Sequence, residues 1–243
     1  MTIELTTTVG ELVRERPARS RIFEQLQIDY CCGGAVPLGE ACAKRGLDPQ
    51  AVAQQIRQLD AEPATGDEEP IDADAMTLTD LANHIEQTHH AYLKAELPRL
   101  AAMTQKVFEV HGESDPRLAE VRRIFAGLHQ ELSSHLMKEE QVLFPMIRQL
   151  ESSDHVPAFH CGTVANPIRQ MEYEHDGAGH ALAILRDSTD GYQPPEWACN
   201  TYRAMLAGFQ QLEWDLHQHI HKENNVLFPK AIWREAELAG VRT

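Results

Sequence analysis

The chain has 243 residues, 42% of them apolar, so it can bury a core as one large domain or as a normal domain with a small one. Its formal net charge of −15 argues against nucleic acid or an anionic membrane as a partner, and no apolar run approaches the roughly 18 residues of a membrane-spanning helix. No basic stretch followed by an apolar block marks the N-terminus as a secretory signal, and five cysteines without a disulfide-framework pattern predict a reducing, cytoplasmic location.

Residues 1–59 form the first predicted unit, a small helical domain. Ala, Leu, Glu and Gln are abundant in the chain, which favours helices. About 60 residues is marginal for independent stability, so we expect this unit to dock onto the rest of the chain or onto a second subunit, as in a homodimer. Its predicted core residues are Leu12, Val13, Ile22, Phe23, Leu26, Leu38, Val52, Ile56 and Leu59.

Two adjacent cysteines, Cys31 and Cys32, stand directly before Gly33-Gly34. Gly-Gly indicates a sharp turn with an open backbone, so the pair is expected at a loop or helix end, exposed to a partner. A disulfide between neighbours would be strained, because their Cα atoms are about 3.8 Å apart and unstrained bridges span about 4.4–6.8 Å. Reduced thiols that bind iron, nitric oxide or a partner are favoured, and two buried structural cysteines are the alternative. The other cysteines stand alone and are expected to be inert: Cys42, Cys161 and Cys199.

An acidic segment, residues 60–75, is predicted to be a linker because it contains proline and glycine and almost no large apolar residue. It precedes a longer region, 76–243, in which apolar residues recur at helical spacing. Two helices of this region begin with a capping residue followed by proline, at Asp115-Pro116 and Asn166-Pro167. The four predicted helices cover 77–110, 116–151, 167–188 and 195–237.

The second and fourth predicted helices repeat one phrase, HLMKEEQVLFPM in residues 135–146 and HIHKENNVLFPK in residues 219–230. In each copy a histidine precedes a glutamate by four residues. Side chains at this spacing lie on one helix face, so each copy presents an imidazole and a carboxylate in the same direction. The apolar residues of the phrase are predicted to be core, and the proline of each copy is predicted to kink its helix just past the glutamate.

Two further histidines fall at the same height as those of the repeated phrase. Residues equidistant from the turn of an antiparallel hairpin lie at one level. The midpoints of the successive pairs formed by His90, His135, His175 and His219 all fall in or beside predicted loops. The spacing therefore predicts an all-α fold, an up-down-up-down four-helix bundle with these four histidines at one level.

The same spacing excludes three other histidines. His111 lies roughly 30 Å from His90 along a helix and belongs at the loop end of the bundle. His84 lies roughly 9 Å from His90 and is a poor co-ligand for the same ion. His89 points about 100° away from its neighbour His90. His90 is preferred because it gives the better alignment of the first two predicted helices with the last two.

Four imidazoles and two carboxylates suit two first-row transition ions, with each carboxylate able to bridge them. A structural zinc site needs only four ligands and prefers cysteine. The Glu-x-x-His motif of ferritin-like di-iron sites is absent at all four histidines, which disfavours a ferritin-type oxidase. The predicted metal ligands are His90, His135, Glu139, His175, His219 and Glu223.

The segments DYCCGG, ELSSHLMKEEQVLFPMI, EYEHD and HIHKENNVLFP together resemble the iron–sulfur cluster repair di-iron proteins, over essentially the whole chain. The resemblance implies a hemerythrin-like bundle with a non-haem di-iron centre in a cytoplasmic protein. The family is associated with restoring iron–sulfur clusters damaged by nitric oxide or oxidative stress. Its ligands would correspond to the six predicted here, and its cysteine pair to Cys31 and Cys32. The resemblance also links a histidine at the position of His111 to function, and its distance from the site makes that role secondary. The long loop 151–166, with His155, His160 and Cys161, departs from the pattern and has no assigned role.

The resulting prediction is a di-iron protein that repairs iron–sulfur clusters by donating iron through Cys31 and Cys32. Its partners would be damaged iron–sulfur proteins, with nitric oxide or O2 as small ligands. One alternative is an enzyme that reduces nitric oxide at the di-iron centre. Another is a hemerythrin-like sensor of O2 or nitric oxide, although an exposed dithiol argues mildly against a pure oxygen carrier.

Overall fold

The computed structural model describes residues 3–61 and 72–240, and no β-strand occurs in these two ranges. The all-α prediction is confirmed. Most of the predicted linker 60–75 lies outside the described residues, so the division into two domains stays a prediction. The α-helices are Val9–Glu15 (α1), Ser20–Gln25 (α2), Leu38–Lys44 (α3), Pro49–Ala61 (α4), Leu78–Ile85 (α5), Ala91–His111 (α6), Arg117–Lys138 (α7), Phe144–Ser152 (α8), Ala165–Ser188 (α9), Asn200–Lys222 (α10) and Phe228–Leu238 (α11).

Helices α5 to α11 form the predicted up-down-up-down bundle. Helix α6 packs against α7 and α10, and α9 packs against the same two helices, so sequential neighbours are adjacent and the last closes on the first. The predicted helix ends agree with the structure within a few residues, except that the last helix begins at Asn200 rather than 195. Residues 196 and 197 instead form a turn, in which the Ala198 N–H donates to the carbonyl of Pro195, and Cys199 is the N-cap residue of α10.

Three of the four long helices contain a π turn, at Glu86–His90, Glu139–Leu143 and Glu223–Leu227. The last two end just before Phe144-Pro145 and Phe228-Pro229, respectively. A π turn shifts the backbone hydrogen-bond register by one residue, and it accommodates the N–H that proline lacks. The sequence predicted a kink just past the glutamates, and in the structure the departure from regular α-helix begins at Glu139 and Glu223 themselves.

The core of the bundle is divided into two apolar clusters along its length. One cluster holds Leu93, Phe125, Leu182, Phe209 and their neighbours, and the other holds Leu81, Phe144, Ile168, Phe228 and theirs. In each long helix the residues of the two clusters are separated by a predicted metal ligand. A layer of buried polar side chains therefore crosses the bundle between them: His90, His135, Glu139, His175, His219 and Glu223.

Helices α1 to α4 enclose a third apolar cluster. Seven of the nine predicted core residues are buried in it, and Leu26 and Leu59 pack against it partly buried. The Arg19 guanidinium is also buried there, and it donates hydrogen bonds to Asp60, Glu15 and the carbonyl of Leu12. These hydrogen bonds and ion pairs offset the free-energy cost of burying the positive charge of Arg19.

The N-terminal helices dock directly onto the bundle, which is one of the two arrangements expected from their small size. Helix α1 packs against the π turn Glu223–Leu227. Glu24 accepts hydrogen bonds from His217 at 2.8 Å and from Tyr30, whose hydroxyl also accepts a bond from Gln218. Among the described residues, no helix combines the length and apolar character needed to cross a membrane.

Candidate metal centre

The six predicted ligands converge in the polar layer between the two apolar clusters, and none is more than 3% exposed. They divide into two groups of four. In the first group, Nε2 of His90 lies 3.2 Å from Nε2 of His219 and 3.4 Å from Oε2 of Glu139. His219 Nε2 lies 3.0 Å from Oε1 of Glu223. Two imidazoles and two carboxylates therefore face one another.

The second group consists of His135 and His175 with the same two glutamates. The two Nε2 atoms are 3.1 Å apart. His135 Nε2 lies 3.3 Å from Oε2 of Glu139, and His175 Nε2 lies 3.2 Å from Oε2 of Glu223. In each group the ligand atoms lie within 4.8 Å of one another. Because both carboxylates belong to both groups, Glu139 and Glu223 could each supply a ligand atom to a cation in either group.

The hydrogen bonding of the two carboxylates fits cation binding. Among the described residues, neither oxygen of Glu139 nor Oε2 of Glu223 has a hydrogen-bond partner, although all three atoms are buried. A buried carboxylate without compensation is strongly unfavourable, whereas a bound cation supplies that compensation. Burial alone would raise the pKa of Glu223, but His219 and His175 hold it well below its usual range. The site therefore favours ionised carboxylates, which are the form that binds metal.

Two of the four imidazoles are oriented by a carboxylate at the other ring nitrogen. His90 Nδ1 lies 2.8 Å from Glu140, which also accepts bonds from Lys94. His135 Nδ1 lies 2.9 Å from Glu174. The partners leave Nε2 of each ring directed at the centre, an arrangement typical of metal-binding histidines.

The other two imidazoles have no charged partner at Nδ1 among the described residues. His175 Nδ1 lies 2.8 Å from the side-chain oxygen of Asn224. His219 Nδ1 has no hydrogen-bond partner within 3–61 and 72–240. Its ring instead stacks on that of His89, with 5.4 Å between the centroids and an angle of 7° between the planes.

The excluded histidines lie outside the centre. His89 Nδ1 is 2.9 Å from Asp215, and its Nε2 is 2.8 Å from Nζ of Lys222. His84 contacts the edge of the His89 ring. His111 lies at the far end of α6 beside Cys199. His90, rather than His89, is the neighbour that faces the two glutamates.

The cysteine pair lies in a turn that we call the cysteine loop, residues 29–34. Asp29 closes the turn by accepting hydrogen bonds from the backbone N–H groups of Cys31, Cys32 and Gly33, at 2.9–3.1 Å. Both cysteines are free thiols, and their sulfur atoms are 4.0 Å apart. Contact with the Cys32 thiol, followed by burial, raises the pKa of Cys31 well above its ordinary value.

The expectation that the whole pair is exposed is wrong for Cys31, which is only 5% exposed, whereas Cys32 is partly exposed. The reason is that the cysteine loop docks onto the bundle. The Asn225 side chain donates hydrogen bonds to the carbonyl oxygens of Tyr30 and Cys31, at 3.3 and 3.0 Å. His221 Nδ1 lies 3.4 Å from the same Tyr30 oxygen.

These docking residues were not identified from the sequence, although the repeated phrase contains a signal. His221 and Asn225 occupy the positions at which the first copy has Met137 and Gln141. The two copies therefore differ where one of them contacts the cysteine loop. Gly34 permits the approach, because a Cβ atom there would overlap the Asn225 side chain.

A cleft of about 270 Å³ separates the cysteine loop from the bundle. Cys31 and Cys32 line one side of it, and α9 and α10 line the other with Gly179, His180 and His217. Gly179 follows His175 by one helical turn, roughly 6 Å. The exposed His155 and His160 of the loop 151–166 take no part in the cleft or the centre.

Comparison with known proteins matches two family models. Residues 5–60 match ScdA_N, a domain of unknown function, and residues 81–231 match the hemerythrin HHE cation binding domain. The iron-sulfur cluster repair protein YtfE of Citrobacter koseri is 38% identical over 226 residues, which are 92% of this chain and 96% of that protein. YtfE of an Enterobacter species is 39% identical, and YtfE of Escherichia coli O157:H7 is 38% identical, with the same coverage.

The cation-binding match spans all six residues of the polar layer, and the N-terminal match spans the cysteine loop. The chain therefore belongs to the family of iron–sulfur cluster repair proteins with a hemerythrin-type cation-binding domain.

Proposed function

We propose that this protein restores damaged iron–sulfur clusters by supplying iron from a di-iron centre. The six buried ligands would hold the two ions, and Cys31 and Cys32 would receive iron on its way to the damaged protein. The names of the relatives support the repair function. The observation that carries the iron-delivery proposal is the docking of the cysteine loop onto the π turn Glu223–Leu227, which begins at Glu223 itself.

The donor set supports iron as the metal. Imidazole and carboxylate together suit first-row transition ions, and bridging carboxylates hold two ions close together. Two carboxylates neutralise only part of the charge of two such ions. Bound iron would supply redox chemistry, and reduction would lower the charge that attracts the carboxylates. Glu139 and Glu223 would therefore hold iron less tightly in the reduced protein.

The cysteine loop offers a second, smaller group of ligand atoms. Asp29, Cys31 and Cys32 each place one such atom within 4.8 Å of the others. Thiols bind metals as thiolates, so uptake of an ion would release the proton that the raised pKa of Cys31 retains. Two thiols and one carboxylate are too few to hold iron permanently, which suits a transfer site.

The test is to incubate the iron-loaded protein with an iron–sulfur enzyme damaged by nitric oxide and to follow both enzyme activity and isotopically labelled iron. We expect activity to return while label moves to the enzyme. The variant Cys31→Ser/Cys32→Ser should keep its own iron and lose the rescue. Cys161→Ser is the matched control and should rescue normally, because Cys161 lies away from the cleft.

Three outcomes would overturn the proposal. The first is no rescue by the iron-loaded wild type, and the second is rescue without transfer of label. The third is full rescue by the double serine variant, which would remove the cysteine route. Consumption of nitric oxide with an electron donor would instead favour the reductase, and reversible binding of O2 or nitric oxide without iron loss would favour the sensor. The cytoplasmic location and a homodimer stay predictions.

A further inference from the structure

A cysteine and a histidine form a pair at the end of the bundle remote from the metal centre. Nε2 of His111, at the end of α6, lies 3.2 Å from Sγ of Cys199. Cys199 is exposed and is the N-cap residue of α10. It precedes His219 by 20 residues, or roughly 30 Å of helix, so the pair is separate from the centre.

The surroundings of Cys199 favour the thiolate. The N-terminus of a 23-residue helix carries partial positive charge and unpaired N–H groups. A hydrogen bond with His111, followed by hydrogen bonds with the backbone of Tyr202 and Thr201, lowers the pKa of Cys199 to about 7. A thiol in such a position is typically reactive.

Aromatic rings and ion pairs hold the pair in place. The rings of His111, Trp197 and Tyr202 contact one another, with centroids 5.5 Å apart for His111 and Trp197, 5.9 Å for His111 and Tyr202, and 5.8 Å for Trp197 and Tyr202. The Tyr202 hydroxyl donates to Asp115, whose carboxylate is paired with Arg117. From α10, Arg203 donates to backbone carbonyls of the preceding loop, including that of Glu196. The nearby carboxylate of Asp115 is thus neutralised rather than directed at the sulfur.

Three other cysteines, Cys31, Cys42 and Cys161, lack this combination of exposure and a basic partner. Cys42 is fully buried, and burial raises its pKa. Cys161 is partly buried, and its thiol donates to the carbonyl of Thr163. Cys31 is buried with a raised pKa. The expectation that Cys199 is inert came from its isolation in the sequence, but the fold brings His111 to it across 88 residues.

We propose that Cys199 is a redox modification site that exchanges with low-molecular-weight disulfides, with His111 as its base. His111 accepts the thiol proton, and the Cys199 thiolate attacks one sulfur of the disulfide. A new S–S bond forms as the disulfide bond of the reagent breaks. The departing thiolate takes the proton from His111. One thiol and one disulfide are consumed, and one mixed disulfide and one thiol are produced, so no further oxidant is needed.

The test treats the full-length, metal-loaded protein with glutathione disulfide and measures the modification rate of each cysteine by peptide mass mapping between pH 6 and 9.5. The variant His111→Gln removes the base, and Cys161 is the internal control in the same molecules. Far-UV circular dichroism and metal content verify that the variant keeps its fold and centre.

The expected rates follow from the balance between thiolate fraction and nucleophilicity. If the variant restored an ordinary thiol pKa of about 8.5, the wild type would hold roughly 30 times more thiolate at pH 6. A more acidic thiolate is less nucleophilic, by roughly fivefold over this difference. The wild type should therefore react up to about sixfold faster than His111→Gln at pH 6 and up to about 4.5-fold slower at pH 9.5.

A crossing of the two pH profiles at Cys199, with Cys161 unchanged, is the expected result. Absence of the glutathione adduct at Cys199 in the wild type would overturn the proposal. Parallel pH profiles of the wild type and His111→Gln would also overturn it, because a change in the accessibility of Cys199 alone would change the rate by the same factor at every pH. A modification rate at Cys199 no higher than that at Cys161 at pH 7 would also refute it.

Discussion

The docking of the cysteine loop onto the bundle can be tested by the substitution Asn225→Ala. The Asn225 side chain donates hydrogen bonds to the carbonyl oxygens of Tyr30 and Cys31. Each bond is expected to contribute about 1 kcal/mol, so their loss should weaken docking by about 2 kcal/mol. Because 1.4 kcal/mol corresponds to a factor of ten, the undocked population should rise about 30-fold.

The assay is the alkylation rate of Cys31 under native conditions, measured by peptide mass mapping. Cys31 is nearly buried, so its reaction requires the loop to open, and its rate should follow the undocked population. Cys42 lies in the core of the N-terminal helices and reports opening of that core instead. Asn225→Ala should accelerate Cys31 by about 30-fold and leave Cys42 largely unchanged.

Gln141→Ala is the matched control, because Gln141 occupies the position of Asn225 in the first copy of the repeated phrase and does not contact the cysteine loop. It should leave the alkylation of Cys31 unchanged. Metal content should be the same in both variants, since neither residue belongs to the six-ligand cluster. If Cys31 reacts equally fast in Asn225→Ala and the wild type, the side chain of Asn225 does not hold the loop.

Two further predictions concern the surroundings of the metal centre and the stability of the bundle. Glu140→Gln should weaken metal affinity by roughly 10- to 100-fold in a chelator competition, because Glu140 orients His90, while the exposed Glu120→Gln should have no effect. Asp115→Asn should destabilise the protein by about 1–2 kcal/mol at pH 7 in urea denaturation, because Arg117 lowers the pKa of Asp115. The stabilisation by Asp115 is present above the unfolded pKa of about 3.9 and is lost as the pH falls through the lower pKa of the folded protein. If the wild type and the variant differed in stability equally at pH 7 and pH 2.5, the assignment would be contradicted.

The bundle and the convergence of the six polar residues could be predicted from the sequence because both depend on regular geometry. Helical periodicity fixed the elements, and equal distances from the loops placed His90, His135, His175 and His219 at one level. The choice of His90 over its neighbour followed from the same regularity, and the structure directs His90 at the two glutamates.

Features that depend on contacts between distant segments could not be predicted in this way. Glu140 follows the ligand Glu139 in the sequence but orients His90 on another helix. Glu174 precedes the ligand His175 but orients His135, again on another helix. The π turns change the register within a helix, and the apolar pattern of the phrase does not reveal them. Cys199 acquires its basic partner only through the packing of α6 beside the start of α10.

The outer partners of the four imidazoles give the centre a strong and a weak side. His90 and His135 are backed by carboxylates, which make an imidazole a stronger donor, whereas His175 is backed by an amide and burial lowers the pKa of His219. Each group of four ligands contains one histidine of each kind. Both weaker donors are carried by α9 and α10, the helices that line the cleft under Cys32. If two ions bind, each would have one better-supported and one less-supported histidine, and metal loss would begin at the histidines of α9 and α10.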